Sequence, residues 1–242
     1  MRGGSADPDG SAYPLGRDSS GQHRPLSGKA VGRLLLKAGH QVLLSNSRGP
    51  QTLFSLYGGV PGCEIGTVEQ ACAYGEMVLV AVPLASYPQL PRDKLAGKIV
   101  LDAVNYYPER DGQIAALENR QTTTSALLAA HLDQSVVVKV FNAIMARDVV
   151  VDARPAGDAE RRALPVAGDD PAAKGQVIRL LDQLGYDAVD AGSLVESWRF
   201  ERSKPAYCFP QNIAALQQAL TAAERDVALP LSAWHAVLQR EL

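Results

Sequence analysis

Short, continuous apolar segments alternate with helical patterns along most of this chain, and this alternation constrains its fold more than any other feature. Met77–Val82 is the clearest apolar segment. Others of strand length are Val42–Leu44, Ile99–Leu101, Val136–Phe141, Leu164–Ala167 and Tyr186–Val189. Strands that are apolar on both faces suit a parallel sheet covered by helices on both sides. The sequence therefore predicts an α/β protein with a doubly wound, Rossmann-type parallel sheet.

The helical patterns and the composition divide the chain into three parts. Residues 1–26 are rich in Gly, Ser, Asp and Pro without periodicity, which predicts a disordered or non-native segment. A helix over Lys29–Ala38, ending at Gly39, opens a dinucleotide-binding domain over residues 27–155. Residues 156–242 form a smaller C-terminal α/β and helical part. Further helices are predicted at Thr67–Ala73, Ser125–Leu132, Pro171–Leu184, Asn212–Asp226 and Ser232–Leu242.

Charge and cysteine content narrow the function classes. A net charge of −2 over 242 residues gives no electrostatic footprint for nucleic acid. No apolar run is long enough to cross a membrane, and no signal peptide is visible. The three cysteines lack metal-ligand spacing, and the histidines lack ligand partners, so we expect buried thiols, no metal site and a cytoplasmic location.

The glycine turn that normally delivers a pyrophosphate to the first helix is altered. Gly28 falls on the third glycine of the Gly-x-Gly-x-x-Gly pattern, but His23 and Pro25 occupy the first two glycine positions. Proline offers no backbone N–H, and the apolar strand expected upstream is missing as well. Either the N-terminus departs from the native sequence, which we favour, or the domain works without its usual phosphate turn.

The loop Ser45-Asn46-Ser47-Arg48 follows the apolar segment Val42–Leu44. In a dinucleotide-binding βαβ unit, the end of the second strand contacts the adenosine ribose. An acidic residue there suits the 2′-hydroxyl of NAD, whereas an arginine with hydroxyls suits the 2′-phosphate of NADP. This loop predicts an NADP(H) site, although alone it is equally compatible with an arginine in an ordinary polar loop.

Small or amide residues follow three other predicted strands. They are Val82-Pro83, Asn105 within Asp102–Asn105, and Phe141-Asn142-Ala143. Ligands of α/β sheets bind outside the carboxyl ends of the strands, so these turns should approach the cofactor. Trp198, Phe200 and Tyr207 could line a pocket for a planar ring or could be core residues. No arrangement of nucleophile and base suggests a catalytic group.

Several ordered segments resemble the F420-dependent NADP oxidoreductase family. The segments are Ser45–Pro50, Ala81–Pro83, Asp102–Gly112, Val138–Asn142, Pro165–Asp170, Asp190–Gly192 and Glu196–Phe200. The resemblance implies that Ser47 and Arg48 hold the 2′-phosphate. It also implies that Val82-Pro83 lies near the ribose and nicotinamide, and that Phe141–Ala143 borders the nicotinamide pocket.

By the same resemblance, the chain would pass a hydride between NADP(H) and coenzyme F420 or a flavin-like acceptor. Such a transfer depends on stacking two rings more than on a protein acid or base. The expected partner is a small-molecule redox substrate, and the C-terminal helices suggest a homodimer. Two alternatives stay open: an NADP-binding sensor or scaffold without activity, and a chain whose altered N-terminus has disabled the cofactor site.

Overall fold

The computed structural model describes residues 27–53, 60–230 and 232–233. The strands are β1 Leu43–Leu44, β2 Glu64–Ile65, β3 Met77–Val80, β4 Ile99–Asp102, β5 Val136–Lys139, β6 Ala163–Gly168 and β7 Asp187–Asp190. The α-helices are α1 Ser27–Lys37, α2 Val68–Tyr74, α3 Arg92–Leu95, α4 Pro108–Asp111, α5 Ala115–Glu118, α6 Thr124–His131, α7 Asp148–Val151, α8 Pro171–Gln183 and α9 Ile213–Thr221. Two 3₁₀ segments cover Leu84–Gln89 and Leu194–Phe200.

A five-stranded sheet in the order β3-β4-β5-β6-β7 organises the molecule. Strands β3, β4 and β5 are parallel, with Val80 opposite Asp102 and Asp102 opposite Lys139. Strand β6 is antiparallel to β5, and β7 is parallel to β6. The Rossmann-type α/β class is thus confirmed, and the sheet is mixed rather than wholly parallel. Because β6 begins beyond the carboxyl end of β5, the chain returns without the helical crossover that a parallel neighbour needs.

Strands β1 and β2 form a separate parallel pair, with Leu43 opposite Glu64. Strand β2 contributes only two residues and was not predicted from the sequence. Any strand before α1 would fall within residues 1–26. The predictions for that segment, including the altered glycine turn and its disorder, therefore lie outside the described residues, as does most of the helix predicted at 232–242.

Alternating side chains of the central strands supply the cores on both sheet faces. Leu101 and Val138 join the core that contains Val31 of α1 and Val177 of α8. Val100 and Val137 belong instead to the core that contains Leu128 of α6. Each of these positions is at most 4% exposed, and burying one such side chain contributes about 1.5–3 kcal/mol. The central strands β4 and β5 are therefore packed against helices on both faces of the sheet.

Local signals explain where the helices begin and end. Asp170 accepts a hydrogen bond from the Ala173 N–H at 2.8 Å and so caps the start of α8. Gly39 adopts φ +89° just after α1, as a glycine at a helix C-terminus does.

None of the helices in the described ranges has the length and apolar character that a membrane crossing requires.

The helix predicted at Asn212–Asp226 is shorter in the structure, because α9 ends at Thr221. Asn212 does cap its start, accepting from the Ala215 N–H at 3.0 Å. Beyond the helix, the Lys204 ammonium donates to the carbonyls of Glu224, Arg225 and Val227 at 2.6, 3.0 and 2.7 Å. These carbonyls bind a side chain instead of continuing the helical hydrogen bonds, so the chain turns away from the helix axis.

Candidate cofactor site

The carboxyl ends of β3, β4 and β5 lie at one edge of the sheet because the three strands are parallel. This edge carries three of the predicted turns. The structure joins two of them directly: Asn105 Nδ2 donates to the Asn142 carbonyl at 2.9 Å, and Asn142 Nδ2 lies 3.2 Å from Asn105 Oδ1. Asn142 Nδ2 also donates to the Phe200 carbonyl at 2.9 Å. The two asparagines therefore tie both turns to the segment that follows β7.

The apolar side chains of the turn after β5 are buried in the cores and do not line this edge. Phe141 and Ala143 are each 2% exposed and pack in the cores. Phe141 adopts φ +62°, a conformation that a bulky residue keeps only where its surroundings enforce it. The Ala143 carbonyl accepts from Cys208 N at 3.1 Å and from Arg162 Nη2 at 3.2 Å, which fixes the turn.

The loop after β1 exposes the predicted phosphate-binding side chains. Ser45 and Asn46 are half-buried, whereas Ser47 and Arg48 are exposed. Asn46 Oδ1 accepts from the Arg48 N–H at 3.0 Å and from Thr52 Oγ1 at 3.2 Å, so this side chain shapes the loop. Among the residues that the structure describes, none forms a hydrogen bond or ion pair with the Arg48 guanidinium. The side chain is therefore available to an anion.

Gly28 and Val82-Pro83 have simpler surroundings. Gly28 lies in the first turn of α1, and a Cβ placed there would meet no described atom within 4 Å. Val82 and Pro83 are half-buried, and the Pro83 carbonyl accepts from the Ser86 N–H at 2.9 Å where the first 3₁₀ segment begins. Val82 and Pro83 border the strand-end edge because they come just after β3.

A buried charged cluster beneath this edge was missed from the sequence. Lys139, at the end of β5, is fully buried, and its Nζ donates to the Val104 carbonyl at 3.0 Å and to Thr124 Oγ1 at 2.8 Å. The same Nζ lies 3.6 Å from Asp102 Oδ2 and 3.8 Å from Glu201 Oε1. The signal was present in the sequence as a lysine inside an otherwise apolar strand, where a charge needs buried partners.

The carboxylates of this cluster hold the backbone of the site. Asp102 Oδ1 accepts from the Val104 N–H at 2.8 Å, and Asp102 Oδ2 accepts from Ser125 Oγ at 2.5 Å. Glu201 Oε1 accepts from Thr124 Oγ1 at 2.6 Å. The cluster thus fixes the turn that contains Asn105 and links it to the segment after Phe200.

The three predicted aromatic residues separate into two environments. Phe200 and Tyr207 are 0% and 9% exposed and belong to the C-terminal core, so they line no open pocket. Trp198 is half-buried, with the Arg199 guanidinium 4.7 Å from its ring centre. The Tyr207 hydroxyl is hydrogen-bonded to the hydroxyl of Tyr107, which follows β4. Burial raises the pKa of both tyrosines, so both remain protonated near neutral pH.

The cysteines and acidic residues show no metal chemistry in the described part of the chain. Cys63, Cys72 and Cys208 are free thiols, and Cys72 and Cys208 are buried. Burial raises the pKa of Cys72 to about 11 and that of Cys208 to about 12, which makes them poor nucleophiles. Within the described residues, no three His, Cys, Asp or Glu side chains are grouped so that they could hold a metal ion.

The parallel strands, the helices that cover them and the strand-end turns define a Rossmann-type, dinucleotide-binding class of fold. Residues 27–106 match the model of the family described as "NADP oxidoreductase coenzyme F420-dependent". This match confirms the resemblance read from the sequence over residues 27–106. The matched region contains Gly28, the Arg48 loop, Val82-Pro83 and Asn105.

Known proteins similar to this chain agree with that placement. This chain is 38% identical over 81 residues to protein YjhV of Escherichia coli (strain K12). The match spans 33% of this chain and 59% of YjhV. A solved structure from Arthrobacter sp. fb24, described as a "putative f420 dependent nadp-reductase", is 25% identical with a TM-score of 0.60 and covers 71% of this chain and 83% of its own. The hypothetical protein SMa0349 from Sinorhizobium meliloti, 24% identical with a TM-score of 0.64, covers 77% and 90% and supports the fold.

Proposed function

We propose that this protein is an NADPH-dependent oxidoreductase that transfers a hydride between NADP(H) and coenzyme F420 or a flavin-like acceptor. The family match of residues 27–106 supports an NADP-linked redox activity. The observation that carries the cofactor assignment is the exposed Arg48 guanidinium, which no described residue engages. It stands after β1, where a 2′-phosphate is recognised in this class of fold.

Arg48 would discriminate NADPH from NADH through charge and geometry. A guanidinium stays protonated and can bind a phosphate through two parallel hydrogen bonds. The loop geometry leaves it available, because Asn46 binds the Arg48 backbone N–H and not its side chain. NADH lacks the 2′-phosphate and would gain nothing from this contact.

At the other end of the cofactor, the asparagine pair would hold the nicotinamide. Asn142 is 3% exposed, and its Oδ1 has no hydrogen-bond partner among the described residues. A buried acceptor of this kind suits a donor such as the nicotinamide carboxamide. NADPH supplies the hydride, and the protein's part is to hold the ring rigidly and exclude water.

Transfer of isotopic label tests this proposal. NADPH deuterated at the C4 position of the nicotinamide would be incubated with the protein and with F420, FMN or FAD in turn. Direct hydride transfer to F420 predicts that deuterium appears on a ring carbon of the reduced acceptor and that NADPH is oxidised only when the protein is present. A flavin takes the hydride on a ring nitrogen, from which the label exchanges with water, so transfer to FMN or FAD is scored by protein-dependent oxidation of NADPH. Tight NADPH binding without oxidation by any of these acceptors would favour the sensor or scaffold instead. Failure to bind NADPH would favour a disabled cofactor site.

A further inference from the structure

Asn46 and Thr52 close the loop that carries Arg48. Asn46 Oδ1 accepts from the Arg48 N–H at 3.0 Å, and Asn46 Nδ2 donates to Thr52 Oγ1 at 2.9 Å. The Thr52 hydroxyl has one proton, and its 2.8 Å contact to the Gly49 carbonyl is shorter than its 3.2 Å contact to Asn46 Oδ1. Each donor thus has its own acceptor, so the three hydrogen bonds form at the same time. We call them the Asn46–Thr52 clasp.

The clasp holds a β-turn whose two central residues are Ser47 and Arg48. The Gly49 N–H donates to the Asn46 carbonyl at 3.4 Å, and Gly49 adopts φ +90°, a conformation that suits glycine best. An asparagine at the first position of a turn commonly bonds the backbone two residues on, as Asn46 does here. The two residues predicted to contact the 2′-phosphate therefore occupy the tip of the turn.

Both ends of this loop are anchored in the protein. Leu44, the last residue of β1, lies against α1, where a Cβ added to Gly32 would be 3.4 Å from Leu44 Cδ2. At the other end, Leu53 is 7% exposed. The clasp residues lie between these anchors and are half-buried, whereas Arg48 is exposed. The exposed tip of the turn is therefore held on a fixed base.

The clasp places a neutral side chain beside the Arg48 charge. The Asn46 amide supplies an acceptor for the Arg48 N–H and a donor for Thr52, and it carries no charge. A carboxylate in its place could accept from the same N–H, but it would repel a phosphate and attract the guanidinium. It could also donate no hydrogen bond to Thr52. Asn46 therefore shapes the turn without competing for the Arg48 side chain.

We propose that the Asn46–Thr52 clasp sets the preference for NADPH over NADH by holding the Arg48 turn in its ligand-binding shape before the cofactor arrives. This role rests on the proposed contact between Arg48 and the 2′-phosphate. A loop that is ordered in advance loses little conformational freedom on binding, so more of the gain from the guanidinium–phosphate contact appears as affinity. Asn46 and Thr52 are thus positioning residues that act through Arg48.

Asn46→Ala tests this role because it removes both hydrogen bonds of the amide. The NADPH dissociation constant, measured by nicotinamide fluorescence, should rise by about 10-fold, while that of NADH should hardly change. Calorimetry with 2′,5′-ADP, which carries the 2′-phosphate but no nicotinamide, should show the same loss, because the clasp acts at the adenosine end. Asn119→Ala is the matched control, since Asn119 is exposed at the end of α5.

Thr52→Val tests the other half of the clasp. It keeps the shape of the side chain and removes the hydroxyl, so NADPH should bind about 3-fold or more weakly, again without a loss for NADH. Thr221→Val is its matched control, because the Thr221 hydroxyl donates to the Gln217 carbonyl at 2.8 Å on the exposed surface of α9. This control should leave both affinities unaltered.

Asn46→Asp separates the charge of the side chain from its shape. The variant keeps an acceptor for the Arg48 N–H and adds a negative charge to the turn. NADPH affinity should therefore fall at least as far as in Asn46→Ala, while NADH affinity is kept. Wild-type NADPH affinity in this variant would contradict the need for a neutral side chain.

The pattern across the two nucleotides decides the proposal. Equal losses of NADPH and NADH affinity in Asn46→Ala would overturn it, because they indicate a merely structural role. Unchanged NADPH affinity in this variant would overturn it as well, and a wild-type preference for NADPH would then leave the proposed function standing. If the wild type itself shows no preference for NADPH, the 2′-phosphate contact fails, and the clasp proposal fails with it.

Discussion

The guanidinium of Arg48 is the single group on which cofactor selectivity depends in this account. Replacing it in Arg48→Ala should remove charge-assisted hydrogen bonds to the 2′-phosphate, which are worth about 1.5–3 kcal/mol, or roughly 10- to 150-fold in affinity. NADH affinity should hardly change. Titration of each nucleotide by calorimetry measures both effects.

A matched control for this variant is Arg92→Ala. Arg92 is an exposed arginine, paired with Asp133 at 2.5 Å, and its side chain is 51% exposed. Its removal should leave both affinities unaltered. Equal losses of NADPH and NADH binding in Arg48→Ala would show that the guanidinium does not contact the 2′-phosphate.

Lys139 governs stability at the residue scale. Lys139→Met would leave Asp102 and Glu201 without the ammonium that lies within 4 Å of both carboxylates. Removing one member of a buried ion pair costs about 3–5 kcal/mol. Urea denaturation should show this loss, whereas Lys94→Met, which breaks an exposed pair with Asp93, should change the free energy of unfolding by at most about 1 kcal/mol. Similar midpoints for both variants would contradict the role given to the cluster.

At the scale of elements, the start of α8 depends on the Asp170 side chain. Asp170→Ala removes the acceptor for the Ala173 N–H and should lower the free energy of unfolding by about 1 kcal/mol. Asp170→Asn keeps a side-chain acceptor and should lose less. Urea midpoints of the two variants measure this order, and the reverse order would mean that the hydrogen bond contributes little.

The sequence predicted elements well where local patterns decide them. Continuous apolar runs marked β3 and β4, and the helical pattern from Pro171 marked the start of α8, because burial and helix initiation depend on a few neighbouring residues. The direction of β6 was not predictable, since a run such as Leu164–Ala167 is equally apolar in either orientation. The two-residue strand β2 is too short to carry any pattern.

The candidate site was likewise predictable from the sequence only where local patterns mark its residues. Arg48 and Asn105 could be named because they follow recognisable strands. The contact between Asn105 and Asn142, and the hydrogen bond between Tyr107 and Tyr207, join residues 37 and 100 positions apart. No local pattern records such pairs. The site residues, the domain boundaries and the homodimer expected from the C-terminal helices stay predictions.

For the whole molecule, burial of weak acids predicts a loss of stability at alkaline pH. The pKa of the Cys72 thiol rises from 9.0 to about 11 on folding, and burial also raises the pKa of Cys208 and Tyr106 to about 12. Below pH 9.0, Cys72 is protonated in both states, so its contribution is fully present. Above this pH the unfolded chain loses protons that the folded chain keeps, and stability falls until the folded pKa is passed.

Cys72 alone should cost on the order of 2–3 kcal/mol between about pH 8 and about pH 11. Urea denaturation across this range measures the decline. Cys72→Ala is the control, since it should show a shallower decline than the wild type. A free energy of unfolding that does not change with pH would contradict the burial of these groups.

The most direct test of the cofactor assignment is titration of the purified wild-type chain with NADPH and with NADH, followed by nicotinamide fluorescence. We predict saturable binding of NADPH with a clear preference over NADH, because only NADPH carries a phosphate for Arg48. Equal binding of the two nucleotides, or no binding of either, would contradict the NADP site on which the account rests.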